Sequence, residues 1–503
     1  MFKIVTAEQA VSLIKDGDCI CVNSFLALSN AEAIHDAIYA RFSKSGSPNN
    51  LTMVSSAGFG FWDENRNAEP YIRAGAVRKL ILGHFGSMLS TSRLVFDNKF
   101  EAYNIPLGVL SHTIRAAAGG SRGYLSRVGL GIFVDPRLEG PGVNEISKDK
   151  LVEVATLDGE EYLYYKLPVF DAAIIKGTSV DGSGNITFEN EYITADALSA
   201  AQAVKRNGGK VIVQVDRVIH NYSRPWDIIV PGILVDVVVV SEPELCNRAS
   251  QTLSGDIHVP PTHMQYWADK LSGTDSKKRR PDDASADIIG RHAVRELKPG
   301  HIVNIGIGLP EMVSKFAAET GILNGITLTV EAGGIGGLPA AGINFGATIG
   351  ADMICPMATQ FDFYDGGGLD ICFMGALEVD KNGNVNSHRG PSAFTGIGGF
   401  ANITAATKTV IFCLTFNTKG LKTAEKGDLI DIISEGAISK FTSKIRSVSF
   451  SAEQALKNHQ RVLYVTERCI FELTPKGLRL AEVYPGIDIE KDILNKLDFP
   501  LAE

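Results

Sequence analysis

Asp171-Ala172-Ala173-Ile174-Ile175, followed by Val180-Asp181-Gly182-Ser183-Gly184-Asn185, returns 199 residues later. The second copy reads Asp370-Ile371-Cys372-Phe373-Met374, followed by Val379-Asp380-Lys381-Asn382-Gly383-Asn384. Lys210-Val211-Ile212-Val213-Gln214 likewise parallels Lys408-Thr409-Val410-Ile411-Phe412, and Gly17-Asp18-Cys19-Ile20 parallels Gly300-His301-Ile302-Val303. Two halves of common ancestry are the simplest reading. In each, short apolar runs alternate with amphipathic helical segments, which predicts α/β units on a largely parallel sheet. The boundary is expected in a linker at 272–285, where Gly, Ser, Asp and Lys displace apolar residues, leaving domains at 1–271 and 286–503.

The copies differ at one telling place. Leu51-Thr52-Met53-Val54-Ser55 occupies in the first half the position of Leu328-Thr329-Val330-Glu331 in the second, and only the second ends in a carboxylate. A glutamate needed for folding would be expected twice, whereas one needed for chemistry need appear once. Glu331 also opens onto Ala332-Gly333-Gly334-Ile335-Gly336-Gly337, almost bare backbone with room for a substrate. Ligands of open α/β sheets bind outside the carboxyl ends of strands, where Glu331 is predicted to lie.

Three further glycine clusters accompany it. Gly396-Ile397-Gly398-Gly399-Phe400 offers unobstructed N–H groups of the kind that hold an oxyanion. Gly306-Ile307-Gly308-Leu309-Pro310-Glu311 closes the apolar run Ile302 to Ile305, and Gln360 to Asp370 holds Gly366, Gly367 and Gly368 among aromatics and acids. Glycines after a strand also serve tight turns, and a lone glutamate is usually a solvated side chain. The clusters together point to a composite ligand cleft and to acyl transfer.

The segment from Gly306 to about Phe416 resembles the catalytic half of class I coenzyme A transferases, nearest to the single-chain acetate/propionate type. Tyr103-Asn104-Ile105-Pro106-Leu107-Gly108 and Gly129-Leu130-Gly131-Ile132-Phe133-Val134-Asp135-Pro136-Arg137 resemble the family's other, subunit-like domain, so the similarity spans nearly the whole chain. The resemblance implies fused α-like and β-like halves of NagB/RpiA type. It implies Glu331, in an E-x-G motif, as nucleophile, and the loop of Gly398, Gly399 and Phe400 as oxyanion hole. Gly306, Gly308, Gly333, Gly334, Gly366, Gly367, Gly368 and Gly396 are the expected substrate or CoA contacts. A cytoplasmic homo-oligomer, dimer or tetramer, acting on acyl-CoA and a carboxylate without metal or tightly bound cofactor, is also implied. Two departures bear on specificity. Leu107 stands where the family commonly has glutamine, and Asn23-Ser24-Phe25 replaces the usual glycine pair before phenylalanine.

Bulk properties agree with a soluble metabolic enzyme. The chain has 503 residues, 45% hydrophobic and 21% charged, enough for two sizeable cores. A net charge of −8 offers no footprint for nucleic acid. The one basic run, Lys277-Lys278-Arg279-Arg280, is flanked by aspartates and reads as a solvated linker. Seven cysteines without paired CxxC spacing read as reduced thiols. Met1 to Gly17 is amphipathic and helical in pattern, not a signal peptide. Ile228 to Val240, broken by Pro231, Gly232 and Asp236, reads as buried strands of the parallel sheet, not a membrane span.

Competing motifs are weaker. Gly119-Gly120-Ser121-Arg122-Gly123 fits a serine nucleophile elbow but follows a helix-like segment, His112 to Ala118. No phosphate-loop motif occurs, and Gly306-Ile307-Gly308 has Glu311 where a dinucleotide fingerprint needs its third glycine. His258 and His263 read as part of a rigid proline-rich loop sooner than as metal ligands. Three readings therefore stand: a CoA transferase, an acyl-CoA hydrolase of the same fold, and a non-catalytic CoA-binding protein. Within the first, acetate, propionate, butyrate and 3-oxoacids are all candidate acyl groups.

Overall fold

The computed structural model describes residues 2–242, 284–391 and 394–503. The linker expected at 272–285 falls outside these up to residue 283, as do the basic run at 277–280 and both His258 and His263. Ser285, at its far end, is already the buried first residue of helix Ser285–Ala293.

Each half is built on one large sheet. In the first, eight strands run parallel in the order Lys3–Ile4, Val237–Val240, Lys210–Val215, Ala172–Lys176, Cys19–Val22, Leu51–Ser55, Val77–Leu82, Glu101–Asn104. In the second, five parallel strands run Arg461–Val465, Thr409–Cys413, Ile371–Gly375, Ile302–Ile305, Thr327–Val330. That order repeats the order of the five strands from Val237–Val240 to Leu51–Ser55, so the internal repeat is a repeat of topology. Antiparallel strands extend the second sheet at both edges, Gly334–Ile335 and Met353–Ile354 beyond Thr327–Val330, and Cys469–Thr474 and Gly477–Val483 beyond Arg461–Val465.

The repeated sequence does the same physical work twice. Asp171 accepts the N–H of Cys19 and Asp370 that of Ile302, each at the entry to a central strand pair. Asp181 accepts the N–H groups of Ser183 and Asn185 and the Asn185 side chain, and Asp380 does the same with Asn382 and Asn384. Both aspartates thus close Asx turns, which accounts for the shared motif without chemistry. Ala172–Lys176 is buried at all five positions, as a strand covered on both faces must be, and each such isoleucine contributes roughly 1.5–3 kcal/mol.

The halves share their core. Phe25 to Leu28, Leu107 and Tyr192 of the first pack in one cluster with Met357, Phe361 and Ile403 of the second. Two expectations change. Only Val237–Val240 of the apolar stretch joins the parallel sheet, while Ile228–Val230 pairs antiparallel with Ile186–Thr187 in a separate small sheet. Of the first seventeen residues, only Ala7–Val11 is helical, because Thr6 caps it and Gly17 turns at φ +84° soon after. Among the described residues no helix is long and apolar enough to cross a membrane.

Candidate active site

Glu331 is the first residue beyond strand Thr327–Val330, at its carboxyl end. On the neighbouring parallel strand stands Asn304, 2% exposed, whose Nδ2 donates to the Thr329 carbonyl at 3.1 Å and to the Tyr364 hydroxyl at 3.3 Å. Tyr364 in turn donates to Thr329 Oγ1 at 2.9 Å. This network gives the glutamate a fixed polar floor inside an otherwise apolar region. Burial raises the Glu331 carboxyl above its ordinary range, opposed by hydrogen bonding from its own N–H and from Asn304.

The loop 395–400 arrives from the far side of Glu331, held by the first half. Phe85 and Gly86 donate to the Thr395 carbonyl, Ile397 N–H to Asn104 Oδ1, and Leu107 N–H to the Gly398 carbonyl. Asn104 also donates to the carbonyls of Leu82 and Gly83, so strands Val77–Leu82 and Glu101–Asn104 end on this loop. Gly396 is required by its φ of +78° and by close approach, since a Cβ there would lie 2.8 Å from the Gly83 carbonyl oxygen. A Cβ on Gly399 would lie 3.2 Å from Glu331 Cγ and 3.4 Å from its Oε1. Carboxylate and glycine loop therefore adjoin, although 68 residues separate them.

The three N–H groups expected to form an oxyanion hole are not equivalent. That of Gly398 donates to the Gly83 carbonyl at 2.8 Å, and that of Phe400 to the Ile397 carbonyl at 3.2 Å. Only the Gly399 N–H makes no hydrogen bond to a described residue.

Other expected contacts divide. Gly306 and Gly308 lie at the carboxyl end of Ile302–Ile305, on the same edge as Glu331, and Gly308 has open space around it. Gly333 and Gly334 are packed against protein, where a Cβ would come within 2.0 Å of the Cys355 carbonyl oxygen and 1.9 Å of Thr348 Oγ1. Gly366, Gly367 and Gly368 are a correction. Their N–H groups bond to the carbonyls of Asp362, Tyr364 and Phe363, closing helix Met357–Asp365 before strand Ile371–Gly375 begins. They sit at the amino edge of the sheet, opposite Glu331, and serve as a helix cap. Ser121 is exposed beyond helix Leu107–Ala118 and is not on a strand exit. Among the described residues no cluster of metal-ligating side chains occurs.

Two neighbours escaped the sequence reading. Asn304 had a visible signal, a polar side chain inside the apolar run Ile302–Ile305. His84 had none. It stands on the exit of Val77–Leu82, its Cδ2 3.8 Å from the Cβ position of Gly398, with a buried Nδ1 lacking a partner and a pKa lowered to about 4 by burial.

Comparison with known proteins identifies the family. The family profile described as Coenzyme A transferase matches residues 4–241. The chain is 37% identical over 502 residues to the acetate CoA-transferase YdiF of Escherichia coli (strain K12), covering 99% of this chain and 92% of the relative. It is 38% identical over 515 residues to the caffeate CoA-transferase of Acetobacterium woodii, covering 100% and 95%. The crystal structure of the Escherichia coli O157:H7 acyl-CoA transferase YdiF apoenzyme superposes with TM-score 0.90 at 35% identity, covering 100% and 93%. The same enzyme in a thioester complex with CoA superposes with TM-score 0.87 at 34% identity, over the same shares.

Proposed function

Since the chain belongs to the coenzyme A transferase family and is a CoA-transferase, we propose that it moves CoA from a short-chain acyl-CoA to a carboxylate acceptor such as acetate, through a glutamyl-CoA thioester on Glu331. The observation that carries this reading is that the half-buried Glu331 carboxyl lies beside Gly399, whose N–H makes no hydrogen bond to a described residue. A thioester in a related enzyme of the same fold lends support.

In the proposed cycle, a Glu331 oxygen attacks the acyl-CoA carbonyl carbon and the carbon–sulfur bond breaks. CoA thiolate and a mixed acyl-glutamyl anhydride result. The Gly399 N–H donates to the oxygen that bears the developing negative charge. The thiolate then attacks the glutamyl carbonyl, the first carboxylate leaves, and glutamyl-CoA remains. An incoming carboxylate attacks that thioester, expelling thiolate, which takes the new acyl group and restores the Glu331 carboxylate. One thioester is exchanged for another, so the cycle needs neither metal nor ATP.

A carboxylate is a weak nucleophile, and the local structure addresses that weakness. Partial desolvation raises the basicity of Glu331, and the Asn304 network holds it in place. Binding energy from the remote parts of CoA supplies the remainder by holding the reacting atoms together and excluding water. A cytoplasmic setting belongs to the same proposal, supported by six described cysteines that are all free and buried.

Initial rates with acetyl-CoA and a panel of carboxylates test the reading. Parallel double-reciprocal plots are expected, with new acyl-CoA formed only when the acceptor is present and no free CoA accumulating. Intersecting plots would exclude the ping-pong cycle, and free CoA appearing at the same rate without acceptor would make the enzyme a hydrolase.

A further inference from the structure

Helix Phe400–Ala406 carries Gly399 at its amino end, so the aim of the Gly399 N–H depends on where that helix sits. Its packing is incomplete on one side. A cavity of about 480 Å³ opens against Ala401, Thr404 and Ala405, on the face turned away from Gly399, which approaches Glu331. Asn458 and Gln460 tie down the carboxyl end of the helix through the carbonyls of Thr404, Ala405 and Thr407, which leaves its amino end to be fixed by other contacts.

Asn402 is placed to do so. It is fully buried, and both ends of its amide are engaged. Oδ1 accepts the Gly108 N–H at 3.1 Å, and Nδ2 donates to both Asp365 carboxylate oxygens, at 3.0 and 3.2 Å. Gly108 lies in the first turn of helix Leu107–Ala118, where an N–H has no acceptor within its own helix. Asp365 is the last residue of helix Met357–Asp365. One side chain therefore ties three helices from two halves of the molecule. The fit leaves no slack, because a Cβ on Gly108 would lie 2.5 Å from the Phe361 ring and 2.6 Å from Asn402 Nδ2.

We propose that Asn402 is a positioning residue for CoA transfer: by joining Gly108 to Asp365 it fixes the helix that aims the Gly399 N–H at the oxygen reacting over Glu331. The inference rests on the roles proposed above for Glu331 and Gly399. It concerns kcat and not substrate affinity, because Asn402 is turned into the protein and away from the cleft.

Asn402→Asp, assayed near pH 8 where Asp365 is ionised, keeps the size and the acceptor for Gly108 but removes the amide donor and sets a carboxylate against Asp365. The expected result is a kcat roughly 10- to 100-fold lower, with a matching loss in the rate of enzyme-thioester formation and a KM for acyl-CoA changed less than about threefold. The Asp365→Asn, Asn402→Asp double variant exchanges donor and acceptor and is expected to recover kcat to within about threefold of the parent. Unchanged kcat in folded Asn402→Asp, or a double variant that melts like the parent without recovering kcat, overturns the proposal. If Asn402→Asp does not fold, Asn402→Ala takes its place, and an unchanged kcat there overturns it equally. Glu331→Gln, assayed alongside, separates the two levels. If it retains activity, the nucleophile assignment fails. If it is inactive while Asn402→Asp is unaffected, only the role of Asn402 fails.

Discussion

Gly399 adjoins Glu331: a methyl group on the glycine would stand 3.2 Å from the glutamate Cγ and 3.4 Å from Oε1. The glycine φ of −78° is open to any residue, so its backbone does not call for glycine. Proximity does. A side chain there would press on the carboxylate, and glycine keeps the space beside Glu331 open for the reacting group.

Gly399→Ala should therefore impair catalysis without unfolding the protein. The added methyl is tighter than ordinary contact with Glu331 and displaces either the carboxylate or the loop. We expect kcat to fall about 10- to 1000-fold, the range for loss of one oxyanion donor, with the melting temperature changed by only a few degrees. Steady-state rates and a thermal melt on the same preparation check this. A fully active variant would remove Gly399 from the mechanism.

Glu331→Gln keeps the shape and removes the nucleophile. Transfer should drop by more than about 10³-fold, and Glu331→Asp, which withdraws the oxygen by about one methylene, should retain a small residual rate. Acyl-CoA binding, measured by quenching or calorimetry, should survive in both variants.

The pH profile follows from the half-buried, partly desolvated carboxyl. Only ionised Glu331 attacks, so kcat/KM rises with pH through its pKa and levels off above it. Burial raises that pKa above the ordinary 4.5, so the acid limb should lie above 4.5 in acyl-CoA kinetics at low substrate. A limb at or below the ordinary value would contradict the half-buried, partly desolvated setting.

Asp365 makes a separate prediction for stability. Burial, with Asp362 nearby, pushes its pKa up to about 7 against an ordinary 3.8, and Asn402 opposes the shift. The folded state thus binds a proton more tightly than the unfolded chain, and stability falls as pH rises from about 4 to 7. Asp365→Asn removes that loss. Relative to the parent it should gain up to roughly 4 kcal/mol between pH 4 and pH 8, read from denaturant unfolding at each pH. A pH-independent difference would show that Asp365 ionises normally.

Much of this was legible in the sequence, for local reasons. The strand Ile302–Ile305 and the exit of Thr327–Val330 into Glu331 follow from apolar runs that end in glycine, and the duplicated strand order follows from the repeat at 171 and 370. What was not legible depends on distant partners. Gly398 looked as available as Gly399 until the Gly83 carbonyl, far away in the chain, took its N–H. Asn402 is bound to Gly108 across 294 residues, a pairing no local pattern announces. Gly366 to Gly368 were misread because a glycine cluster beside aromatics looks alike whether it lines a cleft or ends a helix. Only the sheet direction shows that these three lie at the edge opposite Glu331.

The most direct test of the account is intact-protein mass after incubation with acetyl-CoA, with and without borohydride, on the parent and on Glu331→Gln. Borohydride reduces a glutamyl thioester to an alcohol. The account predicts a CoA adduct on the parent, and loss of activity on reduction with a mass change that maps to Glu331. Glu331→Gln should show neither. A parent without adduct, together with a Glu331→Gln variant of full activity, would contradict it.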